Sequence, residues 1–261
     1  MTRPDPVGLE TVEAAAIADA FGADAVQAGG VVCAVRPDLD EVYINRVIGL
    51  GVKEPATDAT LDRIADVFGS VRHSVALAPC AQPPDLPAML RERGYEAGYA
   101  WVKFHRPAAA PPPAAKTDLR VERVESDRAA DYVAVLAAGF DLLPEAAAML
   151  EHLPGRPGWG CYLAYDGDAP VAAGAVFVSG DHAWLGQATT LAEHRRRGGQ
   201  SALMAARIGA ARAAGAAVVV TETGETVDGR PANSYHNILR AGFEPAYVRP
   251  NFISPLADAI A

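Results

Sequence analysis

The chain has 261 residues, half of them hydrophobic, and a formal net charge of −9, which suits one large or two ordinary domains. Its acidic balance argues against general nucleic-acid binding. No apolar run reaches the ~18 residues of a membrane span, and Met1-Thr-Arg-Pro-Asp-Pro6 lacks an apolar signal core, so a cytoplasmic protein is expected. Cys33, Cys80 and Cys161 are scattered, which fits reduced thiols better than a disulfide frame or a metal site; no metal is expected.

In chain order, the pattern predicts a strand over 41–52, a helix over 57–68 and a short strand over 74–78. Between the first two lies Lys53-Glu54-Pro55-Ala56-Thr57-Asp58. Proline removes one N–H there, the carboxylates repel anions, and Thr57 or Asp58 reads as a helix N-cap. A further helix ends at Gly94-Tyr95, where another strand opens. Arg106 to Lys116 is rich in Pro and Ala and reads as a semi-rigid linker unlikely to join a core. The domains are therefore expected at 1–106 and 118–261, with 107–117 between them.

After the linker, Asp166-Gly167-Asp168 joins two strand-like runs as a hairpin. A third strand covers 182–190 and leads through Leu191-Ala-Glu-His194 into Arg195-Arg196-Arg197-Gly198-Gly199-Gln200-Ser201. A helix over 201–213, a buried strand over 216–221, a helix over 233–241 and a strand over 247–252 complete the pattern. Paired glycines at a strand-to-helix junction let successive N–H groups converge on one anion, and the positive end of the helix dipole adds to the attraction. The three arginines supply mobile cations. A P-loop lysine is lacking, and the glycine spacing is wrong for a dinucleotide fingerprint.

Arg195 to Gln200 resembles the Arg/Gln-x-x-Gly-x-Gly/Ala motif of the GCN5-related N-acetyltransferases, with Gln200 departing at the last position. Leu239-Arg-Ala-Gly242-Phe243 is similar to that family's closing Leu-Gly-Phe element, and the likeness covers about residues 118–253. The resemblance implies an α/β fold of the mixed α+β kind: a central, mostly antiparallel sheet with a splayed parallel pair and flanking helices. It implies acetyl-CoA as donor. The third strand would splay near Thr189, Thr190 and Leu191 and offer backbone groups to the pantetheine. Arg195, Arg196, Arg197, Gly198, Gly199, Gln200 and Ser201 would hold the pyrophosphate. Ser234 matches the small residue that lets a helix approach the cofactor.

The acceptor would be a primary amine of a small molecule or peptide, and the acidic surface would suit a cationic one. The family's acid, a Tyr four residues before the closing Gly, falls on Ile238, which cannot donate a proton, and the family's Asn falls on Pro231. Tyr235, one helical turn earlier than Ile238, is the candidate acid. Glu222, just after the buried strand, is the candidate base, with a solvated loop acid as the alternative. Trp159, Tyr162 and Phe140 are either acceptor-pocket walls or core. Two classes stay open: a catalytic N-acetyltransferase, monomeric or homodimeric, and a non-catalytic acetyl-CoA-binding regulatory pseudoenzyme.

Gly94-Tyr95-Glu96-Ala-Gly-Tyr99 aligns with Gly242-Phe243-Glu244-Pro-Ala-Tyr247. With the similar element order, this implies a tandem arrangement whose first copy has lost the anion loop and does not bind coenzyme A.

Overall fold

The structure, a computed structural model, describes residues 5–21, 24–28, 31–225 and 233–255. It divides into two compact units: Met1–Lys103 with Gly224–Val227 and Ala246–Ala261, and Phe104–Thr223 with Asp228–Pro245. The chain thus leaves the first unit inside a strand, ahead of the Pro/Ala segment. Its last strand falls largely in the first unit, whereas the sequence pattern assigned it to the second.

In the first unit, helix α1 (Pro6–Ala20) starts where Asp5 accepts from the N–H groups of Val7 (3.1 Å) and Gly8 (3.2 Å), with proline at the first helical position. The strands β1 (Asp24–Ala28), β2 (Val31–Val35), β3 (Arg46–Ile48) and β4 (Ser74–Ala76) are joined by helix α2 (Asp58–Phe68) between β3 and β4. Helix α3 (Leu86–Glu92) follows β4. β1/β2 and β2/β3 are antiparallel, β3/β4 is parallel, and β4 pairs antiparallel with β11 (Glu244–Ile253) through Val75↔Phe252. The strand predicted over 41–52 shortens to three residues, and α1, β1 and β2 had no counterpart in the pattern read from sequence. Leu61, Ile64 and Phe68 put α2's apolar stripe into a core with Cys33, Val47, Leu86 and Phe252.

α1 also buries Glu10 and Glu13. Arg249 donates to Glu10 (2.7 Å) and to Glu13 (2.6 and 2.8 Å), Arg46 donates to Glu13 (2.9 Å), and Lys103 closes on Glu13. Burial would raise the Glu13 pKa, but the cations Arg249, Lys103 and Arg46 overcome it and hold the carboxyl well below its ordinary range.

β5 (Glu96–Pro107) carries the chain from the first unit into the second. There β6 (Arg120–Val124), β7 (Trp159–Asp166), β8 (Ala169–Ser179) and β9 (His182–Thr190) form an antiparallel series, and β10 (Val218–Gly224) pairs parallel with β9. The helices are α4 (Ala129–Phe140), α5 (Pro144–Ala148), α6 (Gly199–Ala213) and α7 (Asn233–Arg240). The β7–β8 hairpin turns at Gly167 (φ +60°), where the sequence put it. Neighbouring residues of a strand face opposite sides. Gly174 of β8 meets Arg207 of α6, whereas Thr189, paired with the adjacent Ala173, meets Gly139 of α4. α4 and α6 therefore cover opposite faces of this sheet, which is a mixed α/β architecture as expected.

The Pro/Ala segment is not a loose linker. Ala108 is fully buried and donates to the Ala217 carbonyl at 2.9 Å. Arg106 is buried, donates to the carbonyls of Ala241 and Ala110, and lies 5.7 Å from the Phe243 ring centre. Among the described residues no helix is long and apolar enough to cross a membrane.

Candidate functional site

The turn expected to cradle an anion is built as its residues dictate. Gly198 is the N-cap of α6 at φ +82°, a conformation that favours glycine. A Cβ on Gly198 would lie 2.1 Å from the Lys116 carbonyl oxygen, so the end of the Pro/Ala segment passes directly under the turn. The helix's first internal bond runs from the Ala202 N–H to the Gly198 carbonyl at 3.0 Å. The N–H groups of Gly199, Gln200 and Ser201 thus precede the ladder and sit at the positive end of a 15-residue helix.

The three arginines do different work. Arg197 is not mobile: it clamps Asp166 of the β7–β8 hairpin and Asp118 beyond the Pro/Ala segment. Hydrogen bonds to Asp166 and then Asp118 raise its pKa, and it lowers theirs in turn. His194 lies 3.3 Å from the same Asp166 carboxylate. Arg195 donates to the Thr190 carbonyl at 3.2 Å, and Arg195 and Arg196 are both solvent-exposed. Arg196 has φ +64°, unusual for a side chain of its size. The departure at Gln200 does not fill the cradle, because its side chain turns to donate to Thr190 Oγ1 at 3.2 Å.

The strand pair before the cradle parts. β9 and β10 are in register from Val218↔His182 to Thr221↔Leu185 and no further, although β9 runs on to Thr190 and β10 to Gly224. Thr221 Oγ1 closes the ladder by donating to the Leu185 carbonyl at 2.9 Å. On its other side β9 carries a bulge: between Ala173↔Thr189 and Ala175↔Gly186, Gln187 and Ala188 face the single Gly174, and Gln187 sits at φ +50°. Thr189 and Thr190 are buried there. Leu191 differs from its expected role, since its N–H donates to the Val171 carbonyl at 3.0 Å.

The candidate proton-transfer residues sit on other elements. Tyr235, on α7, packs edge-on against Phe104 at 5.1 Å between ring centres and touches His236. Ile238 is buried as a core residue and Ser234 is exposed. Glu222, on β10 beyond the split, is half-buried and engaged by a neighbour. Pro231 lies outside the described residues. Trp159 and Tyr162 are buried, so they belong to the core, whereas Phe140 is 46% exposed.

Sequence reasoning missed the clamps: it reads Asp166 only as part of the hairpin turn and does not single out Asp118. It also missed Arg207 inside α6, which is only 1% exposed. A cavity of about 520 Å³ in the first unit, lined by residues including Ile64, His73, Leu90, Arg93 and Tyr95, contains none of the candidate residues.

No family model matches the chain, and no curated protein matches it. Solved structures do. A GCN5-related N-acetyltransferase from Kribbella flavida is similar with a TM-score of 0.65 and 20% identity, over 98% of this chain and 99% of that one. A GCN5-related N-acetyltransferase from Sphaerobacter thermophilus gives a TM-score of 0.60 and 15% identity, over 96% and 92%. A tandem GNAT protein from the clavulanic acid biosynthesis pathway gives 0.54 and 18%, over 80% and 73%. At these identities the likeness establishes the fold.

Proposed function

We propose that this chain, on the fold it shares with GCN5-related N-acetyltransferases, transfers an acetyl group from acetyl-CoA to the primary amine of a small molecule or peptide. The observation that carries the proposal is the N-terminus of α6, capped by no side chain and reached through a short loop from a strand that parts from its parallel neighbour. A side-chain N-cap would consume one of those N–H groups; Gly198 leaves Gly199, Gln200 and Ser201 to a phosphate. Arg195 and Arg196 are placed to add mobile charge, and Arg197 holds the loop in shape.

In this reading the length of β9 from Gly186 to Thr190, unpaired on its β10 side, receives the pantetheine arm, and a backbone N–H near the bulge polarises the thioester carbonyl. The amine attacks the carbonyl carbon, the C–S bond breaks, and the thiolate leaves with a proton. Glu222 would take the ammonium proton, directly or through water, and Tyr235 would protonate the thiolate.

The first unit supports a tandem origin with a degenerate copy. Its α2 also joins two parallel strands, as α6 does. But Thr57 Oγ1 accepts from the Thr60 N–H at 3.2 Å, and Thr60 Oγ1 accepts from the Thr57 N–H at 3.2 Å. That capping box satisfies two donors that an anion would need. β3 and β4 also stay paired to their last residues, Ile48↔Ala76. We therefore assign donor binding to the second unit alone.

The buried, apolar Ile238 favours the second reading, an acetyl-CoA-binding regulatory pseudoenzyme. Thiol release from acetyl-CoA across a panel of amines, run beside calorimetric titration with acetyl-CoA, separates the two. Binding with amine-dependent release supports the enzyme, binding without release on every amine supports the regulator, and no binding sinks both.

A further inference from the structure

Arg207 is a fully buried cation with no carboxylate paired to it among the described residues. Burial brings its pKa down to about 10, and the charged-group neighbours that act on it are the phenols Tyr132 and Tyr162. It therefore keeps its charge at neutral pH. A buried guanidinium without a carboxylate must be satisfied by carbonyls. Nε donates to the Leu203 carbonyl of its own helix at 3.1 Å, and Nη1 donates to the carbonyls of Ala175 (3.3 Å) and Gly186 (3.2 Å).

Those last two carbonyls are special. Ala175↔Gly186 is the pair that borders the β8–β9 bulge, where strand pairing is interrupted. The chain also makes room for the guanidinium: a Cβ on Gly174, the lone residue opposite Gln187 and Ala188, would come within 2.9 Å of Arg207 Cζ and 3.0 Å of Nε. Gly186 lies equally tight beneath the Trp184 ring, 1.8 Å from where its Cβ would be. Glycine, arginine and bulge form one interlocked unit.

We propose that Arg207 is a positioning residue for acyl transfer, clamping the β9 bulge so that the Gln187 N–H is aimed at the substrate carbonyl and strengthened as a donor. The Gly186 carbonyl and the Gln187 N–H belong to one planar trans peptide and point in opposite directions. Fixing the carbonyl on the α6 side aims the N–H away from α6. A charged donor on a carbonyl polarises the same peptide, so its N–H becomes a better donor. The clamp also holds Gln187 at φ +50°, which an unsupported bulge would not retain. This inference rests on the acetyltransferase reading above.

The test uses the full chain and three variants, Arg207→Met, Arg207→Lys and Gly174→Ala, with an amine that wild type acetylates. Removing one oxyanion donor costs about 10²–10³ in kcat; here the donor is misaimed and weakened, so kcat for Arg207→Met falls about 10- to 100-fold. KM for acetyl-CoA and Kd for coenzyme A stay near wild type, because the cradle is untouched. Arg207→Lys recovers part of kcat. Gly174→Ala, which displaces the guanidinium without removing it, reproduces the loss.

A merely structural role would lower stability and move binding and turnover together, with no recovery by lysine, and would overturn the proposal. Wild-type kcat in folded Arg207→Met overturns it as well. If Arg207→Met does not fold, wild-type kcat in Gly174→Ala does so instead. Those failures leave wild-type acetyltransferase activity standing. Absence of thiol release by wild type with every amine defeats the acetyltransferase reading, and the clamp with it.

Discussion

Two glycine-to-alanine changes in one helix are expected to act in opposite directions. Gly198 adopts φ +82°, and its Cβ would sit 2.1 Å from the Lys116 carbonyl oxygen. The left-handed conformation alone costs an alanine about 1–2 kcal/mol. Relieving so deep an overlap means moving the Lys116 backbone or the turn by more than an ångström, a strain of about 1–3 kcal/mol. Gly198→Ala should therefore destabilise by about 2–5 kcal/mol, or several degrees in Tm for a chain of this size.

Gly209 lies inside α6, ten residues after its first residue Gly199, with nothing within 4 Å of its Cβ position. Alanine there should stabilise by about 0.5–1 kcal/mol. If the Gly198 turn forms the phosphate site, misplacing even one charge-assisted N–H bond, at about 1.5–3 kcal/mol, weakens coenzyme A binding by roughly 10- to 100-fold. Gly209→Ala should leave affinity unchanged. Calorimetric titration with coenzyme A and thermal unfolding of both variants decide the matter. Wild-type affinity in Gly198→Ala would refute the cradle, and equal Tm shifts would refute the steric argument.

Four further outcomes follow from particular side chains. Tyr235→Phe should cut kcat for thiol release while leaving KM for acetyl-CoA nearly unchanged; equal kcat removes Tyr235 from the acid's role. Arg197→Ala should destabilise only slightly, because both carboxylates it clamps are solvent-exposed and water screens the pairing. Since Asp166 and Asp118 have lowered pKa values, that difference should be present above about pH 4, vanish as pH falls further, and shrink in high salt; persistence at pH 2 in urea titrations would contradict the pairing. Glu13→Gln strands buried cations and should cost about 3–5 kcal/mol in denaturant unfolding; a loss under 1 kcal/mol would show the network to be dispensable.

His73 is the fourth. Its Nδ1 faces the Val71 carbonyl at 2.9 Å, so that nitrogen carries the proton and Nε2 accepts from Tyr95 at 2.7 Å. Burial brings its pKa down to about 4. The folded state thus binds its proton later than the unfolded chain does. Stability from the neutral ring is complete above about pH 6.5 and is lost as pH falls from there towards 4, by about 3 kcal/mol in all. His73→Gln should flatten that part of the pH profile measured by urea unfolding; an unchanged slope would assign it to other groups.

The turn of the proposed cradle was legible because it is local: two glycines, a strand before and a helix after fix its form within a short stretch. The hairpin at Gly167 and the Thr57 cap were readable for the same reason. What escaped depended on distant pairing. Asp118 and Asp166 become clamps only when strand register brings them to Arg197, and neither spacing nor composition announces it. Arg207 sits among alanines in a helix with a plain apolar stripe, and its burial is visible only once Gly174 is seen to be its notch. The short β3 and β4 lacked enough residues for a clear alternation, and β1 and β2 are bounded by glycines that read as loop. The Pro/Ala segment misled by composition, since the seat of Ala108 and the path of Lys116 under Gly198 are tertiary facts.

β11 has a consequence for how the chain comes to be folded. Phe252 belongs to the first unit's core, the Pro250 carbonyl accepts from Leu77, and Arg249 neutralises Glu10 and Glu13 of the first helix. During synthesis Arg249 emerges 239 residues after Glu10 and 236 after Glu13, and Pro250 emerges 173 residues (250 − 77) after Leu77. The first unit leaves the ribosome with two buried glutamates short of a counter-ion and a sheet edge uncovered, and waits in that state while nearly all of the second unit is made. What is translated first is finished last.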